Sequence, residues 1–151
     1  MNDCISRGRI CFLSFLLFLF VYPAFAQKEK SDPTRLAVTT LQCDNAADPL
    51  GIDSRNPQFS WQIKSAWRNM QQAGYQVLVA DAAEKLEKLE GNVWNSGKVV
   101  SSQSAGVIYD GKVLESRKKY YWTVLVWGRE NAAPVISETA SSEMGLLQQQ
   151  D

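Results

Sequence analysis

The sequence predicts an all-β fold, an antiparallel sandwich of two sheets and about seven strands with one short inserted helix. Three observations point that way. Over residues 120–126 an apolar side chain recurs at every second position, the period of a strand with one buried face. The same period returns in Phe59, Trp61 and Ile63, and again in Tyr75, Val77 and Val79. Turn-forming stretches separate these runs, Asp48-Pro-Leu-Gly-Ile-Asp53 and Asp110-Gly111 among them.

Taken in order, the elements begin with an export signal. Arg7 and Arg9 precede an apolar run over residues 10–21, and Ala24-Phe25-Ala26 offers small residues where a signal peptidase reads. Residues 1–26 are therefore expected to be a signal peptide, cut between Ala26 and Gln27. The run is too short for the ~20 residues of a membrane span, and Arg9-Ile10 before Cys11 does not fit a lipoprotein site. The product is expected to be secreted or periplasmic, with no membrane contact after cleavage. Residues 27–33 read as a charged, disordered leader.

Within 34–147, Leu36, Val38 and Thr40 alternate as a first strand, with Leu41 and Cys43 out of phase as if a bulge intervened. Pro57 opens a second strand whose Phe59, Trp61 and Ile63 share a face. Residues 66–72 form a polar loop, and Tyr75, Val77 and Val79 mark a third strand. Asp81 and Glu84 have capping-box spacing, and Leu86 and Leu89 continue a short helix to about Glu90. Residues 93–97 turn the chain, residues 103–109 form a strand, and Asp110-Gly111 turns again. Leu114 stands six residues before Tyr120, a spacing that resembles the strand E to strand F corner of a fibronectin type III sandwich, where a tyrosine hydroxyl bonds back to the corner. Trp127 ends that strand on the face opposite Tyr120, open to a neighbouring domain. Residues 138–144 close the sheet. The expected core is Leu36, Phe59, Trp61, Val77, Val79, Trp122, Val124 and Val126.

Missing chemistry narrows function more than present chemistry does. Sixteen basic and sixteen acidic residues balance, and such a surface has no footprint for nucleic acid. There is no histidine, so the commonest general base and metal ligand is absent. Cys4 and Cys11 fall in the signal peptide, leaving Cys43 without a disulfide partner and, between strand residues, as a buried structural thiol. A zinc centre or a nucleophile–imidazole pair cannot be built from this set, and no phosphate-cradling glycine loop is present. No catalytic, cofactor-binding or metal residue is expected. Carboxylate pairs can hydrolyse glycosides, yet Glu84, Glu87 and Glu90 fall on a solvated helix beside Lys85 and Lys88. Asp44, Asp48, Asp53 and Asp110 fall in turns, where aspartate caps backbone. Trp61 and Trp122 face inward. Trp67 and Trp94 lie in loop-like surroundings and can either pack or present a stacking platform to a sugar ring.

In chain order, Leu41-Gln-Cys43, Pro49-Leu-Gly-Ile-Asp53, Pro57-Gln-Phe59-Ser-Trp61, Tyr75-Gln-Val77-Leu-Val79, Trp94-Asn-Ser-Gly-Lys98, Tyr121-Trp-Thr-Val124 and Glu143-Met-Gly-Leu-Leu147 carry a family resemblance. Together they resemble the N-terminal fibronectin type III-like module of bacterial α-L-rhamnosidases, glycoside hydrolase family 78, over residues 34–147. Asn95 stands where that family usually has aspartate, and Gly128-Arg129 where an aspartate often follows the tryptophan. The resemblance implies an immunoglobulin/fibronectin type III-like sandwich, followed in the family by further β-sandwich domains and an (α/α)6 barrel that holds the catalytic glutamates. No catalytic residue carries over to this chain, and residues 148–151 correspond to a truncated linker. The implied role is structural, packing against neighbouring domains of a larger glycoside hydrolase. The alternative is a stand-alone carbohydrate-binding module that takes rhamnose-containing glycans on Trp67 or Trp94.

Overall fold

A computed structural model of the chain describes residues 36–66, 68–128 and 133–147. The expected signal peptide (1–26), leader (27–33) and linker (148–151), and Trp67, lie outside the described residues. Eight strands and one helix follow in order: β1 (Ala37–Cys43), β2 (Gln58–Lys64), β3 (Gly74–Ala80), α1 (Ala83–Glu87), β4 (Trp94–Asn95), β5 (Val107–Ile108), β6 (Lys119–Trp127), β7 (Val135–Ile136) and β8 (Ala140–Glu143). One sheet has the order β1-β2-β5; the other runs β4-β3-β6-β7, with β8 also on β6. The strand ladders that build the two sheets are antiparallel. The expected two-sheet sandwich is what the chain forms. Among the described residues no helix is long and apolar enough to cross a membrane.

Register places the apolar rows opposite one another. Tyr75 pairs with Val126, Val77 with Val124 and Val79 with Trp122, and these side chains join Phe59, Trp61, Val107 and Tyr109 in one buried cluster between the sheets. Of the expected core only Leu36 is half-buried, packed against the cluster's rim. The bulge in β1 falls where the phase breaks: Thr39 pairs with Gln62 and Gln42 with Ser60, and Thr40 takes a positive φ of 52°. That extra residue lets Val38 and Cys43 both turn inward despite their opposite parity.

The outer face of the larger sheet is covered by the chain itself. Leu78, Ala80, Leu125 and Trp127 cluster with Leu86 of α1, and Lys98 Nζ lies 4.8 Å over the Trp127 ring. Trp127, expected to await a neighbouring domain, is thus buried within this fold.

The helix differs from its expected form. No capping box exists: the N-cap is Ala82, which supplies no side-chain acceptor. The Asp81 carboxylate instead receives Lys85 Nζ at 2.7 Å, a pairing that holds it below the usual carboxylate range. The helix ends at Glu87 rather than near Glu90. Leu89 there adopts a left-handed φ of 58°, and its N–H and that of Glu90 bond back to the carbonyls of Leu86 and Lys85, closing the last turn.

Smaller differences lie at the edges. Within 93–97, expected to turn the chain, Trp94–Asn95 form the short strand β4. Within 103–109 only Val107 and Ile108 qualify as strand. The final strand expected over 138–144 is present as the shorter β8, and an additional strand, β7, precedes it; the two pair with opposite halves of β6. Ser137 fills the break: its hydroxyl accepts the Val124 N–H at 3.1 Å and lies 2.9 Å from Thr123 Oγ1.

Candidate functional site

Two places on the sandwich stand out as candidate contact surfaces. The first is a cleft of about 550 Å³ between β4 and β5, the free edges of the two sheets. Trp94 forms part of its wall. One side of the indole lies against Phe59, with centroids 6.1 Å apart and planes 21° off parallel, and Tyr109 meets it edge-on at 5.2 Å. Trp94 is half-buried, so it packs and lines the cleft together. Glycine is required at 111, because a Cβ there would stand 2.5 Å from the Tyr109 hydroxyl and 2.6 Å from Trp94 Cβ.

Polar groups ring the cleft. Asn95 Oδ1 accepts from Gln76 Nε2 at 2.8 Å and from the Gly97 N–H at 2.9 Å. Gln103 Nε2 donates to the carbonyls of Ala105 and Gly106. Asp110 lines the cleft with its carboxylate unpartnered among the described residues. Sequence reasoning expected Asp110 in a turn; it lies in the irregular connection after β5, just before a bend at Gly111. That reasoning missed that the connection brings it to the same cleft as Trp94, because a sheet-edge juxtaposition leaves no local pattern. Trp67, the other expected stacking residue, is outside the described residues.

The second place is the end of the sandwich that holds the β1–β2 loop, the β5–β6 corner and the segment after β8. Backbone bonds join these three: the Gly51 and Ile52 N–H groups donate to the Glu143 carbonyl, Gly145 donates to Ile52, and Arg117 donates to Met144. Tyr120 Oη accepts the Glu115 N–H at 3.0 Å, so the expected tyrosine corner is present. Leu147 is held by Ser116 Oγ and by Arg55 Nη2.

Two turn carboxylates serve the backbone. Asp44 Oδ1 accepts from the Gln58 N–H at 2.8 Å and Asp48 Oδ1 from the Ser141 N–H at 2.6 Å. Both residues have positive φ, the turn role aspartate tolerates. Among the described residues no three His, Cys, Asp or Glu side chains converge as metal ligands would. Burial pushes the Cys43 thiol up to about 12, helped by the nearby Asp44 charge and opposed by a hydrogen bond with Ser142. That thiol is therefore neither nucleophile nor ligand at neutral pH.

Comparison with known proteins gives one consistent answer. Residues 38–148 match the family described as Rha78A-like, N-terminal immunoglobulin domain. An α-L-rhamnosidase of Formosa agariphila is 38% identical over 132 residues, covering 87% of this chain and 14% of that protein. One from Streptomyces avermitilis is 39% identical over 112 residues, covering 74% and 11%. Among solved structures, the α-L-rhamnosidase from Dictyoglumus thermophilum superposes with a TM-score of 0.72 at 35% identity, over 76% of this chain and 13% of that one. The Streptomyces avermitilis α-L-rhamnosidase complexed with L-rhamnose gives 0.71 at 38% identity, over 76% and 11%. The chain spans about one seventh or less of the length of these relatives.

Proposed function

Because the chain belongs to the family of Rha78A-like N-terminal immunoglobulin domains, we propose that it is the non-catalytic β-sandwich module of an exported α-L-rhamnosidase-like glycoside hydrolase, with a structural, domain-packing role. The observation that carries this reading is coverage: residues 38–148 take up nearly all of the described fold, yet the alignments cover only 11–14% of the relatives compared above. Chemistry supports it. Asp44, Asp48 and Asp81 are committed to backbone or to Lys85, and glycoside hydrolysis needs two carboxylates facing one bond. Arg7, Arg9, the apolar run and Ala24-Phe25-Ala26 support export to the periplasm or beyond. The purified chain is expected to release no rhamnose from aryl α-L-rhamnosides above the buffer rate. Turnover abolished by a single carboxylate-to-amide change would overturn the reading.

A second reading, a stand-alone module for rhamnose-containing glycans, is favoured by the cleft at Trp94. An indole wall with a carboxylate and two amides at its rim suits a neutral, hydroxyl-rich ligand. Titration of rhamnogalacturonan fragments against tryptophan fluorescence separates the readings. Saturable quenching lost in Asp110→Ala, with an unchanged melting curve, would establish the glycan module.

A further inference from the structure

We propose that the end of the sandwich from which Leu147 emerges is the docking face for the polypeptide that follows this module in an α-L-rhamnosidase, seated on Leu50, Val113 and Leu146. The inference rests on the reading of the chain as a packing module and adds where it packs and through which side chains.

Exposed apolar residues gather at this end. Leu50 is 78% exposed, Val113 88% and Leu146 53%, and Leu89 in the turn after α1 is 42% exposed. All four lie in connections at the end where β1, β3, β5 and β8 finish and β2, β4 and β6 begin. Towards the opposite end, where the described chain enters at Leu36, the large apolar residues so exposed among the described residues are Val100 and, in β7, Ile136. Isolated surface leucines are ordinary; a group at one end of a domain marks an interaction surface.

The surface is built rather than frayed. Each exposed residue neighbours a buried one: Leu50 is two before Ile52, Val113 precedes Leu114, and Leu146 is two after Met144. The loops are stitched by the bonds from Gly51 and Ile52 to Glu143, from Gly145 to Ile52 and from Arg117 to Met144. The platform thus holds its apolar side chains outward in a fixed arrangement, which lowers the ordering cost of an interface.

Chain geometry identifies the occupant. Leu147 leaves from this face, anchored by Ser116 and Arg55. The matched family is an N-terminal domain, and seven-eighths or so of each relative lies outside the match. Whatever follows is delivered to this face by covalent connection, at high effective concentration. Arg55, Arg117 and Glu115 give it a mixed charged rim, as inter-domain contacts have.

The test mixes this chain with a Streptomyces avermitilis α-L-rhamnosidase lacking its own segment matching residues 38–148, and reads binding by fluorescence anisotropy. Saturable binding is expected, weakened at least tenfold by Val113→Asp and Leu146→Asp and unchanged by Val100→Asp. Unaltered melting temperatures of the variants exclude unfolding as the cause. Binding that survives both end-face changes would overturn the docking face and leave the module reading intact. No binding at any concentration would overturn both. Should the two substitutions abolish only a concentration-dependent self-association of this chain, the face pairs two copies and the proposal falls.

Discussion

Tyr120 ties a corner with a single hydroxyl. Its ring is buried, and Oη accepts the Glu115 N–H at 3.0 Å. The sequence expectation had the hydroxyl reaching the backbone near Leu114, and the partner proves to be the next residue's amide. Tyr120→Phe leaves that half-buried N–H without its acceptor and is expected to cost about 1–2 kcal/mol in urea unfolding; coincident midpoints would show that the corner contributes nothing. The pairing was legible because both partners lie within one short stretch of sequence. Gln72 was not. It stands in a polar loop, yet it is buried, accepting Trp61 Nε1 at 2.9 Å and donating to the carbonyls of Ser101 and Gln103. Only the crossing of residues 101–103 beneath the loop gives that amide its partners, and a crossing between sheets has no signature in local composition. Trp122 shows the reverse: its ring was placed in the core correctly, while its Nε1 finds no acceptor there.

At the scale of elements, legibility follows pairing. β2, β3 and β6 were readable because each sends an alternating row of apolar side chains into the core between the sheets along a strand of at least seven residues, enough periods for alternation to stand out. β4, β5 and β7 are two residues each, too short to show any period. The expected cap failed by one residue: the helix starts after Ala82, so Asp81 stands outside the cap position and its carboxylate takes Lys85 Nζ instead. The same helix closes on Leu89 in the left-handed region, which costs a β-carbon-bearing residue about 1–2 kcal/mol that glycine does not incur. Leu89 is partly exposed, so Leu89→Gly forfeits little burial and is expected to raise stability by about 0.5–1 kcal/mol in chemical denaturation. A loss of similar size would mean that the Leu89 side chain packs against α1 strongly enough to outweigh the backbone strain.

For the whole molecule, one cluster spans both sheets and includes Cys43 and Tyr109, each at most 2% exposed. A core shared this way cannot open at one strand without exposing the rest, so the module is expected to unfold as a unit without the remaining polypeptide of a rhamnosidase. Cys43 reports that opening. Burial, then the Asp44 charge, pushes its thiol up to about 12, and burial followed by Tyr120 does the same to the Tyr109 hydroxyl. Folding therefore holds both protons more tightly than the unfolded chain does. This contribution is fully present below pH 9 for the thiol and below pH 10 for the phenol, and drains away as pH rises towards 12. For each group the loss approaches a slope of about 1.4 kcal/mol per pH unit. Two measurements follow. At pH 8 the labelling of Cys43 by a thiol reagent should proceed at the rate set by global unfolding from tryptophan fluorescence, and stability should fall steeply between pH 9 and 12, less so in Cys43→Ala. Labelling much faster than unfolding would show that β1 separates from the sandwich on its own, and would place the weakest seam of the module at its bulged edge strand.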